Sequence, residues 1–272
     1  MPETADTAAL ITAAHRFLAG SLADDRRGGE DPDDPATVQA MQIALHIPKA
    51  DPPQRNDALV AAARAVAAVC LDPRAGQESA WRDALAQWYG HRIRKIARRA
   101  RGAAWENVQT LPGCTFRSSA TGPVAEARAF IPSAVGEVPH AIGKLQIKGT
   151  DLPHDDLPAP SVGDIEMSSV PVILVDDSLA MTAGKAAAQV GHGSMLLAAQ
   201  MSEAWAVRWA LDGFPLAVRE VPRELIRATA ALPASVPVRD SGFTEVAPGS
   251  VTVVAHPGAY SAEDSAADFS AG

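Results

Sequence analysis

The stretch "VPVILVDDSLAMTAGKAAAQVGHG" (residues 170–193) decides the fold. Its first eight residues are a nearly unbroken apolar run, the pattern of a strand buried on both faces. The remainder is alanine-rich, and Thr182 is a suitable N-cap for a helix running to about Met201. A buried strand leading into a helix predicts an α/β domain. Within that helix Lys185 is misplaced, because a cation in the first turn faces unpaired N–H groups and the positive end of the dipole. Gly191 and Gly193 each cost about 1 kcal/mol relative to alanine inside a helix. Lys185, Gln189 and His192 fall at i, i+4 and i+7 and share one face. Both features need a reason that lies outside the helix.

Downstream, the pattern continues as a second helix (202–213), a strand (214–221), a helix (222–233) and two strands (235–240 and 249–257). The preceding half reads in the same β-α-α-β-α-β-β order, beginning with a strand over 37–48 and a helix over 55–71. Local matches such as "AAARAV" (61–66) against "AAAQVG" (186–191) and "ESAW" (78–81) against "SEAW" (202–205) keep one register. The expected organisation is an internal duplication. It comprises an acidic flexible segment over 1–36, a degenerate domain over 37–148, a linker over 149–168, a domain over 169–258 and a flexible tail over 259–272.

Composition narrows the class. The 272 residues are 47% hydrophobic, enough for a substantial core. No apolar run is long enough to span a bilayer and the N-terminus lacks a secretory pattern, so no membrane partner and a cytoplasmic location are expected. Two isolated cysteines and seven scattered histidines give no ligand spacing, so neither metal nor cofactor is expected. Net charge is −8, but unevenly spread. Residues 38–150 carry fifteen Lys and Arg against eight Asp and Glu, whereas residues 151–272 carry six against sixteen. A basic middle between acidic flanks suits a polyanion partner.

Two familiar chemistries are excluded around Lys185. A phosphate-binding P-loop would need a glycine where Leu179 stands and a hydroxyl where Ala186 stands. Ser194 lacks the G-x-S-x-G frame of a hydrolase elbow. The second chemistry-bearing stretch is "VRDSGFTEVAPGSVTVVA" (238–255), where Asp240 and Gly242 signal a turn and Thr244 and Thr252 present hydroxyls.

"AGKAAAQVGHGS" followed some fifty residues later by "RDSGFTEVAPGSVTVVAHPG" resembles the second-type, archaeal and eukaryotic, family of peptidyl-tRNA hydrolases. That family shows G-K-x-A-A-Q-x-x-H-A early and R-D-A-G-R-T-Q-I-x-P-G-x-x-T-V late. The likeness covers about 170–258. Phe243 stands where the family has a basic residue, and Gly193 where alanine is usual. The resemblance implies a four-stranded mixed sheet with helices on both faces. It also implies hydrolysis of the ester joining a peptide, or an N-blocked amino acid, to the 3′ end of tRNA. By motif, the catalytic positions fall on Lys185, Asp240 and Thr252, with Thr244 and His192 as further motif positions. Such chains pair as dimers, so a homodimer or an intrachain pseudo-dimer is expected.

Carried through the repeat, Lys185 falls on Val60, Asp240 on Ser118 or Ser119, and Thr252 near Ala127, so the first copy lacks the reactive side chains. Its "HRIRKIARRAR" (91–101) instead holds six basic residues. Arg92, Arg94, Lys95 and Arg98, with Arg239 from the second half, are the expected tRNA contacts. The start of the 182–201 helix is expected to add an anion seat beside Lys185. A non-catalytic tRNA- or RNA-binding or regulatory protein retaining the fold is the alternative reading.

Overall fold

A computed structural model describes residues 2–23, 30–31, 33–120, 122–240, 245–247 and 249–260. After helix α1 (Pro2–Ala23), the first half runs β1 (Gln39–His46), α2 (Arg55–Leu71), α3 (Ala80–Tyr89), β2 (Lys95–Ala100), α4 (Ala103–Val108), β3 (Gly113–Ser118) and β4 (Ala125–Phe130). The short β5 (Ser133–Ala134), α5 (His140–Gly143) and α6 (Val162–Glu166) follow. The second half runs β6 (Val172–Asp176), α7 (Ala183–Gln200), α8 (Glu203–Leu211), β7 (Ala217–Val221), α9 (Arg223–Ala230), β8 (Val236–Arg239) and β9 (Val251–His256).

The two sheets repeat one topology. The first has the order β2-β1-β4-β3, with β5 added against the start of β1, and the second has the order β7-β6-β9-β8. In each, the first two strands pair parallel and the other ladders are antiparallel. This is the expected mixed α/β architecture, and the two sheets fit a tandem duplication.

Between the sheets lie α2 and α7. Each packs on its own sheet, on the other helix, and on the second strand of the opposite half, so that α7 meets β2 and α2 meets β7. Small residues permit the crossing. A Cβ on Gly191 would lie 2.9 Å from Val66 Cγ2 and 3.2 Å from Lys95 Cδ, so only glycine fits at this approach of α2 and β2 to α7. Gly193 faces α7's own sheet, against Ile173 and Val253. Ser194 is fully buried and donates its hydroxyl to the Ala63 carbonyl of α2 at 2.9 Å. Arg55 clamps the halves further, pairing with Glu220 at 2.9 Å and donating to the Met181 carbonyl at 2.7 Å.

Three expectations at the edges need correction. The segment 1–36 is not a flexible lead-in throughout, because α1 packs across α2, α7 and α8. Ile11, Ala14 and Leu18 form its buried stripe, and His15 Nε2 bonds the Ala198 carbonyl at 2.9 Å. The 149–168 linker is a packed strap. Leu152 is buried, and the Asp155 carboxylate accepts from the backbone N–H groups of Arg55 and Asn56 at the start of α2. Of the 259–272 tail, Tyr260 packs edge-on to Trp205 and its hydroxyl donates to Asp212, while 261–272 lie outside the described residues. Among the described residues no helix is long and apolar enough to cross a membrane.

Candidate functional site

Lys185 is answered by Asp240. The lysine stands one turn into α7, where the Thr182 side chain accepts from its backbone N–H and the Glu245 carboxylate in turn accepts from the Thr182 backbone N–H and hydroxyl. Its Nζ lies 2.5 Å from Asp240 Oδ2, and the two side chains are only 11% and 8% exposed. Asp240 is held at the end of β8 by two backbone bonds, its N–H to Ser250 and its carbonyl from Gly249. The cation that looked unfavourable in the helix alone is compensated from across the fold.

Gln189, one turn further along, completes the constellation. Its Nε2 donates to the same Asp240 Oδ2 at 2.8 Å, and its Oε1 accepts from the Thr252 hydroxyl at 2.6 Å. The sequence places Gln189 on the Lys185 face but gives it no role. Its signal is that helical spacing.

Thr252 reaches Gln189 through an irregularity in β9. Opposite Val238 and Arg239 the register slips, pairing Val238 with Val253 but Arg239 with Val251. The extra residue breaks alternation, so that Thr252 and Val253 both face α7 while Val251 and Val254 pack on the opposite side with Ile226. Thr252 is fully buried. It does not line the cleft, and its hydroxyl holds the amide of Gln189 from behind. The catalytic position expected at Thr252 thus lies behind the cleft surface rather than on it. Thr244 lies outside the described residues.

Lys185, Gln189, His192, Arg239 and Asp240 line one side of a cleft of about 830 Å³. The opposite side comes from the first half, with Arg92, Arg94 and Lys95 from β2 and the segment before it. Arg94 pairs with Glu30, which also accepts from the Arg92 backbone N–H at 3.1 Å. Arg98 is not in the cleft. Strand alternation turns it to the other face, where its Nε bonds Gln42 at 2.8 Å and its Nη1 bonds the Leu145 carbonyl at 3.1 Å.

Lys95 is not a surface cation either. It is 8% exposed, and burial pulls its pKa down to about 7. Its Nζ lies 3.1 Å from His192 Nδ1. Burial, reinforced by the positive charges of Lys95 and Lys185, holds the His192 imidazolium well below its ordinary range.

The anion seat expected at the start of α7 is also corrected. Two of its first N–H groups are taken, that of Lys185 by Thr182 and that of Gly184 by the Thr150 hydroxyl at 3.1 Å. The strap so close to Gly184 leaves no room for a side chain, since a Cβ there would lie 2.6 Å from Thr150 Oγ1. The cations at the cleft are therefore side chains and not the start of α7. The described residues hold no cluster of His, Cys, Asp and Glu able to bind a metal.

The arrangement combines a carboxylate that accepts from Lys185 and Gln189, and an opposite wall that carries Arg92, Arg94 with its partner Glu30, and the buried Lys95. No curated protein and no solved structure matches the chain. Residues 169–264, the second half from the strand that leads into α7 to beyond β9, match the family of peptidyl-tRNA hydrolase PTH2.

Proposed function

We propose that the chain hydrolyses the ester between a peptide, or an N-blocked amino acid, and the 3′ end of tRNA, with the reacting ester bound beside Lys185 and Asp240. The observation that carries this reading is the Lys185–Asp240–Gln189–Thr252 chain of contacts at the cleft, inside the segment that matches the family. Asp240 orients a water and takes its proton as the water oxygen attacks the ester carbonyl. The Lys185 ammonium stabilises the negative charge that develops on the carbonyl oxygen. Collapse of the tetrahedral intermediate breaks the bond to the ribose oxygen, which leaves with the proton held by Asp240. Gln189 keeps the carboxylate in one rotamer, and Thr252 keeps Gln189.

The acidic second half does not favour a polyanion. Arg92, set across the cleft, supplies compensating charge, and Arg239 adds to it, while Arg94 is paired with Glu30. The test is release of free tRNA from a peptidyl-tRNA or an N-blocked aminoacyl-tRNA. Asp240→Asn and Lys185→Ala should each slow release by about 10²-fold or more, the scale of losing an acid–base group or an oxyanion donor. Tight binding without release above background would overturn the hydrolase reading in favour of a tRNA-binding protein.

A further inference from the structure

The cleft contains one contact that the hydrolytic chain does not use. Lys95 enters from the edge strand of the first half and meets His192, which stands two turns along α7 from Lys185. Its surroundings are otherwise apolar or neutral. Met195 Sδ lies at 3.6 Å and the Trp88 ring centroid at 4.8 Å. The Cys70 thiol of α2 and the Tyr89 phenol of α3 are both buried, which keeps both protonated. Among the described residues no carboxylate lies within ion-pair distance of Lys95. An ammonium has donors only, so a protonated Lys95 makes His192 Nδ1 an acceptor. The remaining proton of the neutral ring then sits on Nε2. That atom has no hydrogen bond to a described residue, and the ring lines the cleft.

We propose that Lys95 is a positioning residue supplied by the first half: it locks His192 as the Nε2–H tautomer, so that His192 donates a hydrogen bond to a backbone phosphate of the single-stranded 3′ end of the substrate. Spacing selects phosphate over the reacting carbonyl. Seven residues of helix separate Lys185 from His192 by about 10 Å, more than the reach from one ester to both side chains. A neighbouring phosphate is at a suitable remove, and Arg92 and Arg94 border the same wall. The choice of ligand rests on the hydrolase reading, whereas the tautomer does not.

The lock has a pH range. Lys95 loses its proton near pH 7, and a neutral amine can accept from Nδ1–H as well as donate. The other groups facing it, Cys70, Tyr89 and His192, remain neutral on both sides of that pH, and Lys185 is held by Asp240. Below pH 7 the donor at Nε2 is enforced; above it the ring is released to either tautomer.

The decisive measurement uses the unmodified full-length chain. Long-range ¹⁵N–¹H spectra of the histidine rings at pH 6.5, with His192 assigned by its disappearance in His192→Gln, should show Nδ1 bare and Nε2 protonated. A ring protonated at Nδ1, or at both nitrogens, would overturn the proposal. In Lys95→Met the ring should become a mixture of tautomers and KM for peptidyl-tRNA should rise about tenfold with kcat within about threefold. Lys95→Arg, which keeps the donors, should restore both. An unchanged KM in a folded Lys95→Met protein also overturns it. Should the wild-type chain release no tRNA, the hydrolase reading fails on its own. Binding of a short single-stranded RNA, weakened in Lys95→Met and weakened in the wild type as pH rises through 7, then tests the proposal, and pH-independent binding refutes it.

Discussion

Replacing Lys185 by methionine keeps the apolar stem of the side chain and removes the ammonium, with its charge and its donors. Asp240 would be left 8% exposed with its carboxylate facing the neutral Gln189 amide. Removing one partner of a buried pair costs about 3–5 kcal/mol, because the other charge stays desolvated. Here the pair borders a cleft that water can enter and Gln189 still donates, so about 2–3 kcal/mol is expected. Asp240→Asn should cost less, about 1–2 kcal/mol, since the lysine can turn its head into the cleft. The double variant Lys185→Met/Asp240→Asn has no uncompensated charge and should lose only about 1 kcal/mol. The coupling between the two sites is therefore about 2–4 kcal/mol. Urea unfolding at pH 7, followed by tryptophan fluorescence with the slope checked for constancy, measures all four proteins. Additivity within about 0.5 kcal/mol would refute the pairing. The double variant should regain stability without regaining tRNA release, which separates the structural worth of the pair from its chemical use.

Gly191→Val should lower stability by about 2–3 kcal/mol, since its Cβ meets Val66 at 2.9 Å and its branch presses on Lys95; an unchanged melting temperature would show that α2 and α7 do not cross there. Arg92→Gln should raise KM and flatten the salt dependence of binding by about one phosphate contact, whereas Arg98→Gln should cost about 1 kcal/mol of stability and leave the salt slope unchanged. Lys95 is depressed from 10.5 to about 7 in the folded chain, so between those values the unfolded chain holds a proton that the folded chain lacks. Its burial thus penalises folding most below pH 7, and the stability advantage of Lys95→Met over the wild type should shrink as pH rises from 7 to 10; a pH-independent difference would contradict the burial of a titrating amine.

Periodicity makes most of the elements legible. The 55–71 helix matches α2 residue for residue, and the two halves show the same element order in the sequence and the same strand order in space. What periodicity does not carry is which face another layer covers. Lys95 alternates with Arg94 and Ile96 in a basic strand and reads as one of several surface cations, yet α7 lies across its face and buries it. Thr252 is harder still. Alternation puts it on the side of Val254, away from Asp240, and only the extra residue in β9 turns it toward Gln189. The α1 stripe of Ile11, Ala14 and Leu18 is visible at helical spacing, but the acidic residues that follow it dominate the composition of the segment.

The first half retains a fold without the corresponding chemistry, and the contacts of α2 account for both. Where the second half sets Lys185 against Asp240, the first has Val60, and the bond from α2 to the end of β3 comes from Asp57 instead. Asp57 accepts from the Ser118 hydroxyl at 2.5 Å and from the Ala120 N–H at 3.1 Å, spending its carboxylate on joining α2 to the end of β3. Val60 packs against the core and Ala127 is fully buried, so no cation stands at the position matching Lys185 and no hydroxyl at that matching Thr252, while a serine replaces the acid of Asp240. Yet α2 cannot be dispensed with, because Val190, Gly191 and Ser194 of α7 are buried in a layer that α2 completes. A second half standing alone would expose that layer, and its cleft would lose the wall that carries Arg92, Arg94 and Lys95. The first half can therefore lack those side chains and still be required, since α2 and β2 bury α7 and carry basic residues to the cleft of an acidic half.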